Sequence, residues 1–92
     1  MAFAAERVEV NNVTPTIVTP EGREPGTTLT LAIQNLSGDA IYVGTADMTD
    51  TEYGASIVPG AMLTIDNLPP KDEVYVLSVE STAYVGVLKV HR

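Results

Sequence analysis

Residues 27–43 read TTLTLAIQNLSGDAIYV and contain the most regular strand pattern of the chain. Leu29, Leu31 and Ile33 face one way, while Thr28, Thr30 and Gln34 face the other. This period of two predicts a β-strand with one buried face. The polar stretch at residues 35–39 predicts a tight reversal into a second strand at residues 41–43. We therefore expect these two strands to form a hairpin.

The same pattern of short strands separated by turns extends along the rest of the chain. Short apolar or β-branched runs lie at residues 7–10, 16–19, 56–58, 62–66, 73–79 and 84–90, with proline- and glycine-containing turns among them. This spacing predicts an all-β fold, either a small antiparallel β-sandwich or a jelly-roll-like barrel of about seven to eight short strands. Residues 1–13 are expected to form an irregular N-terminal arm or a first edge strand, and residues 14–92 a single β-sandwich domain.

The small size of the chain favours self-association. A chain of 92 residues has room for one domain, whose core is marginal because a short chain buries a small share of its surface. The sequence contains no cysteine, so disulfides and thiolate metal sites do not add stability. A homo-oligomer is therefore the expected additional source of stability.

The charge distribution excludes two classes of partner. Five basic residues stand against twelve acidic ones, a formal net charge of −7, and the basic residues are scattered singly. Binding to nucleic acid requires clustered lysine and arginine, and anionic membrane surfaces attract the same clusters. We expect neither nucleic acid nor a membrane as a partner.

The last two apolar runs are apolar on both faces. In residues 73–79, Tyr75 and Leu77 alternate with valines, and in residues 84–90, Tyr84 alternates with Val85 and Val87. A strand with two apolar faces must be covered on both. The outer face is covered either by the chain itself, through its N-terminal segment or the loop at residues 44–54, or by another subunit. The candidate interface residues are Tyr75, Leu77, Tyr84, Val85 and Val87, and the sequence does not decide which face is the outer one.

Residues suited to catalysis or metal binding are sparse. The single histidine, His91, lies next to the end of the sequence, whereas a catalytic histidine must be buried and oriented by a carboxylate. Asp47, Asp50 and Glu52 do not have the spacing of a calcium-binding EF-hand loop and are expected to form a solvated acidic loop. We expect no enzymatic activity, no catalytic residue, no metal and no cofactor.

Residues 29–38, LTLAIQNLSG, and residues 41–44, IYVG, resemble small β-structured virion proteins encoded among the structural genes of tailed bacteriophages. In those proteins a strand ending in Ile-Gln-Asn turns through a glycine into a strand that reads Ile/Val-Tyr-Val/Leu-Gly. Further similar segments follow in order: Thr49 in a polar loop, Gly54, Ile57 with Pro59 and Gly60, residues 74–78 and residues 85–88. The resemblance covers residues 14–90.

The resemblance implies a capsid decoration protein on the outside of a phage head. Such a protein binds the major capsid protein, often as a homotrimer at local threefold positions, and stabilises contacts between capsid subunits. The implied localisation is the capsid surface of the virion, after synthesis in the host cytoplasm. Two alternatives stay open: a receptor- or glycan-binding module of a phage tail or head fibre, and a small regulatory binding protein unrelated to virions.

Overall fold

A computed structural model describes residues 2–19, 28–49, 51–69 and 71–91, the side chains of residues 2–4 and 91 excepted. The described residues form eight β-strands and no helix. The strands are β1 (Ala2–Val10), β2 (Thr16–Ile17), β3 (Leu29–Asn35), β4 (Ile41–Gly44), β5 (Ala55–Ile57), β6 (Met62–Leu68), β7 (Tyr75–Ser78) and β8 (Ala83–His91). The predicted all-β fold is confirmed.

The strands form two antiparallel sheets of four strands each. The long sheet has the order β1-β8-β3-β6, and the short sheet has the order β2-β7-β4-β5. The pairs β1–β8, β2–β7 and β3–β6 nest around the central β4–β5 hairpin. The chain is therefore one long hairpin rolled over itself, and the rolling brings β3 beside β8 and β4 beside β7. This is the topology of a small jelly roll.

The predicted hairpin between residues 27–34 and residues 41–43 is wrong. β3 pairs with β6 and β8 in the long sheet, whereas β4 pairs with β5 and β7 in the short sheet. Every link between consecutive strands except the β4–β5 link crosses from one sheet to the other. A short polar turn has the same composition in a hairpin and in a crossing, so local sequence does not distinguish them.

The hydrophobic core lies between the inner faces of the two sheets. Leu29, Leu31 and Ile33 of β3 are fully buried in it, as their alternation predicts. The apolar side chains that form the core are Val10, Val18, Leu29, Leu31, Ile33, Ile41, Val43, Ile57, Leu68, Val74, Val76, Ala83, Val85 and Val87. Because both sheets contribute to one cluster, neither sheet has an independent core.

Asn35, at the end of β3, joins two of the crossings between the sheets. Its side chain is 1% exposed and its amide nitrogen donates to the carbonyl oxygens of Asp39 and Ile57, both at 2.7 Å. Its amide oxygen accepts from the backbone N–H and the hydroxyl of Ser37. A buried amide with all of these partners is stabilising, whereas the same group without them is costly.

The backbone of Asn35 extends this network to the start of β6. Its N–H donates to the carbonyl oxygen of Ala61, and its own carbonyl accepts from the N–H of Gly60. Hydrogen bonds of Asn35 therefore join the β3–β4 link to the β5–β6 link.

The two sheets differ in strand length. β1 and β8 each span nine residues, whereas β4 spans four and β2 two. Of the two alternatives for residues 1–13, the structure has an edge strand: β1 pairs with β8 without a register shift from Ala2 to Val10. The structure therefore has no irregular arm over residues 2–10.

Replacing Asn35 with alanine tests the importance of this network. We expect Asn35→Ala to lower the free energy of unfolding by about 3 kcal/mol, because the buried Ile57 carbonyl loses the Asn35 amide as a donor and the Ser37 N–H loses its acceptor. Urea unfolding followed by circular dichroism measures the change. The matched control is Asn12→Ala at an exposed position, where a change within about 0.5 kcal/mol is expected. Equal unfolding midpoints for the two variants would contradict the central place of Asn35.

Candidate interaction surface

The outer face of the long sheet carries a set of apolar side chains that includes the exposed Met62 and Tyr84. We call it the open face. Its residues come from all four strands: Ala5 and Arg7 of β1, Tyr84, Gly86, Leu88 and Val90 of β8, Thr30, Ala32 and Gln34 of β3, and Met62 and Thr64 of β6. Met62 is 58% exposed and Tyr84 is 37% exposed.

Strand register arranges the open face in rows. Leu88 lies between Ala5 on β1 and Ala32 on β3, and Ala32 lies opposite Thr64 on β6. Ala32 is 9% exposed and Leu88 is half-buried, so the large exposed apolar side chains of the open face are Met62 and Tyr84. The centre of the open face is flat and apolar, with hydroxyl groups at its margin.

The next row contains a shallow depression above Gly86. The cavity there measures about 200 Å³ and is lined by Ala5 and Glu6 of β1, Gln34 of β3 and Met62 of β6, among others. Leu36, just after β3, reaches towards Gly86 and is itself 48% exposed. Because glycine has no side chain, larger neighbours surround an indentation that a side chain of a partner can occupy.

Arg7 supplies the positive charge of the open face. Its guanidinium carbon lies 4.3 Å from the centre of the Tyr84 ring, a distance at which the cation is attracted to the π-electrons. Glu9 is the neighbouring acid on β1, directly opposite Tyr84. The exposed Asp66 follows Thr64 on β6, so acidic side chains lie on the outer strands β1 and β6, whereas the described outward-facing residues of the middle strands β8 and β3 include none.

The outer face of the short sheet is largely closed by the chain itself. Leu77 points outward, yet it is 4% exposed, and Met48 in the β4–β5 loop is 6% exposed. Neither belongs to the core between the sheets. The loop folds back so that a Cβ atom at Gly44 would lie 3.1 Å from the Met48 sulfur. The side chain of Met48 therefore takes the space over Gly44.

Stacked tyrosines complete this cover. The rings of Tyr42 in β4 and Tyr53 in the loop lie 4.2 Å apart and nearly parallel. Tyr42 is the neighbour of Leu77 across the β4–β7 pairing, so the loop shields this part of β7. The two apolar-faced strands thus differ: outward-pointing Leu77 of β7 is buried, whereas Tyr84 on the outer face of β8 is exposed.

The structure separates the five predicted interface residues. Val85 and Val87 are 0% and 2% exposed in the core, and Leu77 is buried on the outer face of the short sheet. Tyr75 is half-buried beside an open depression of about 510 Å³ that also contacts Asp47, Asp72 and Glu73. Tyr84 lies on the open face. Of the five, therefore, it is the residue that the structure places on an uncovered apolar surface.

Sequence reasoning missed Ala5, Ala32, Met62 and Gly86. Ala32 is a small apolar residue on the polar face of β3, and Leu88 repeats the apolar character on the outer face of β8. These two residues were the sequence signals that could have indicated an apolar outer face. Their combination on one surface depends on the β1–β8–β3–β6 order, which local patterns do not specify.

The described residues offer little for chemistry. Among them, no three His, Cys, Asp or Glu side chains are grouped so as to hold a metal ion. Asp47 and Glu52 are exposed, while Asp50 and the side chain of His91 lie outside the described part of the chain. The described residues also contain no helix able to cross a membrane.

Comparison with protein-family models, with curated proteins and with solved structures gave no match to this chain.

A methyl group at Gly86 tests the open geometry of the depression. It would lie 3.5 Å from Leu36 Cδ1, an ordinary contact distance, and Gly86 does not have a positive φ. We expect Gly86→Ala to raise the free energy of unfolding by about 0.5 kcal/mol, because alanine restricts the unfolded chain. The control Gly60→Ala, at a φ of 82°, should lower it by about 1 kcal/mol. Equal destabilisation in urea unfolding would contradict the open geometry.

Proposed function

We propose that the chain is a structural virion protein, a capsid decoration protein that binds the outside of a phage head and stabilises contacts between major capsid subunits. The observation that carries this proposal is the open face, a flat surface with an apolar centre that no strand of the short sheet covers. The resemblance of residues 14–90 to phage virion proteins supplies the identity of the partner. Uncovered apolar patches on small domains commonly mark protein interaction sites.

The chemistry of the open face suits another protein surface. Leu88, Met62 and Tyr84 provide apolar and aromatic contact area, and Arg7 provides a cation, the side-chain types that are enriched at protein interfaces. The partner that fits is a folded surface with an apolar projection for the Gly86 depression and a carboxylate near Arg7. A site for a small molecule would be concave and more enclosed.

The size of the open face favours many weak contacts over one strong contact. Four strands about 4.8 Å apart, over seven residues at about 3.4 Å each, give roughly 450 Å². One partner of a stable interface usually contributes about 800 Å². A contact of this size is weak for a single copy, and decoration of a head suits it because many copies bind one particle and their small contributions to particle stability add.

The distribution of charge supports the same role. The exposed acids Asp47, Glu52, Asp72 and Glu73 lie in the loops at one end of the sandwich, outside the centre of the open face. A negatively charged exterior keeps large particles dispersed. Binding through the open face would leave these acids in contact with water.

Self-association and capsid-surface localisation are parts of this proposal. The resemblance implies a trimer at threefold positions, and the trimer remains a prediction. The major capsid protein is the proposed partner in either oligomeric state.

A binding experiment tests the proposal directly. Purified heads of the encoding phage, prepared without this chain, should bind the added protein and become more resistant to heat. Gly86→Gln should weaken the binding by about tenfold or more, because its side chain fills the depression at the centre of the contact. Quantitative co-sedimentation with heads measures the affinity, and light scattering during heating measures particle stability.

The control is Ser56→Gln on the outer face of the short sheet, an exposed position directly opposite Tyr42. It should bind heads like the unmodified protein. Heads of unchanged heat stability, or equal weakening by both variants, would overturn the proposal. Binding of the isolated domain to host cells, with none to heads, would instead favour the receptor-binding alternative.

A further inference from the structure

Four strand edges bound the two sheets, and three of them are unsuited to pairing with another strand. β2 spans two residues and follows Pro15, and β5 spans three residues and is followed by Pro59. β6 is longer, but its register shifts opposite Leu29 and Leu31, and Asn67 has a φ of 58°. Short strands, prolines and bulges are devices that prevent edge-to-edge association.

β1 lacks these devices. It spans nine residues, contains no proline and pairs with β8 in an unbroken register. Among the described residues, β8 is the strand that pairs with β1, so the opposite edge of β1 is free. The inward-pointing charge of Glu6 is neutralised by an ion pair with Lys89. A long edge without a proline or a register shift is suited to the addition of another strand.

We propose that the free edge of β1 pairs antiparallel with β1 of a second copy, in a register centred on Val8, to form a twofold dimer with a continuous eight-stranded sheet. This inference rests on the edge strand and does not depend on the proposed capsid function. It commits to a dimer, which is a different assembly from the trimer that the sequence resemblance implies.

The alternation of side chains between the two faces of a strand limits the possible registers. A twofold axis perpendicular to the sheet keeps the inner faces of both copies on the same side, so directly opposed residues must face the same way. The axis must therefore pass through a pair of identical residues. Axes at Glu6, Arg7 or Glu9 would place like charges opposite each other, which is destabilising. An axis at Ala5 avoids such pairs but offers no pair of opposite charges.

The Val8 register pairs residues 6–10 of the two copies and places opposite charges together on the outer face, while on the inner face Glu6 lies opposite Val10 of the second copy. On the outer face, Arg7 lies opposite Glu9 of the second copy and Glu9 lies opposite its Arg7. On the inner face, Val8 meets the second Val8. Val8 is partly buried against the core of its own chain, and Arg7 and Glu9 are exposed. The dimer therefore covers the remaining apolar surface of Val8 and satisfies both charges.

The absence of cysteine from the sequence makes cross-linking a sharp test of register. In the proposed dimer the two Val8 Cα atoms are about 4.5–5.5 Å apart, within the range that a disulfide spans. Mild oxidation of Val8→Cys should give a disulfide-linked dimer on a non-reducing gel. Glu6→Cys is the control, because its two copies would be about 14 Å apart in this register.

Little cross-linking of Glu6→Cys beside rapid cross-linking of Val8→Cys supports the proposal. Faster cross-linking of Glu6→Cys, or none in either variant, overturns it. Circular dichroism of the reduced variants verifies that both are folded.

Charge exchange provides a second test by sedimentation of the full chain. Arg7→Glu should raise the dimer dissociation constant by about tenfold or more, because the introduced carboxylate of each copy then lies opposite Glu9 of the other. The double variant Arg7→Glu/Glu9→Arg should restore dimerisation, because opposite charges face each other again. A monomer or trimer mass for the unmodified chain at micromolar concentration, or no rescue by the double variant, would overturn the proposal. Head binding through Gly86 is measured separately, so the two proposals can fail independently.

Discussion

The fully bonded side chain of Asn35 is the interaction on which the jelly-roll path depends. A long hairpin rolled over itself must cross between its two sheets at nearly every link, and each crossing brings backbone polar groups near the core. Asn35 donates to carbonyl groups on both sides of the β4–β5 hairpin, at Asp39 and Ile57. Two crossings distant in sequence are thereby fixed to one buried group, which explains how a short polar turn stays in place beside an apolar core.

Unequal strand lengths and the position of the single hairpin loop then determine the surfaces. The β4–β5 loop folds back over the short sheet, where Met48 lies over Gly44 and Tyr53 stacks on Tyr42. No equivalent loop of the described chain lies over the long sheet. The open face and the free edge of β1 are thus both consequences of the topology, and they adjoin at Arg7 on the outer face of β1.

The residues that resemble phage virion proteins serve mainly to build the fold. Ile33 is a core residue, and the Asn35 side chain hydrogen-bonds to the links between the sheets. Tyr42 stacks on Tyr53, and Gly44 lies beside Met48. The structure therefore explains these positions by the requirements of the fold. The open face is made of other residues, such as Leu88 and Met62, which the core does not constrain.

Strand alternation in the sequence by itself determined the all-β class, the inner face of β3 and the presence of two apolar faces on β7 and β8. These are local properties, because a period of two is visible within a few residues. Only the tertiary structure decided which sheet each strand joins, why residues 35–39 form a crossing, and that Val85 faces the core while Tyr84 faces outward. The physical reason is that β1 meets β8, and β3 meets both β8 and β6, across long stretches of chain. The local sequence of a strand with two apolar faces does not show which face its own domain will cover.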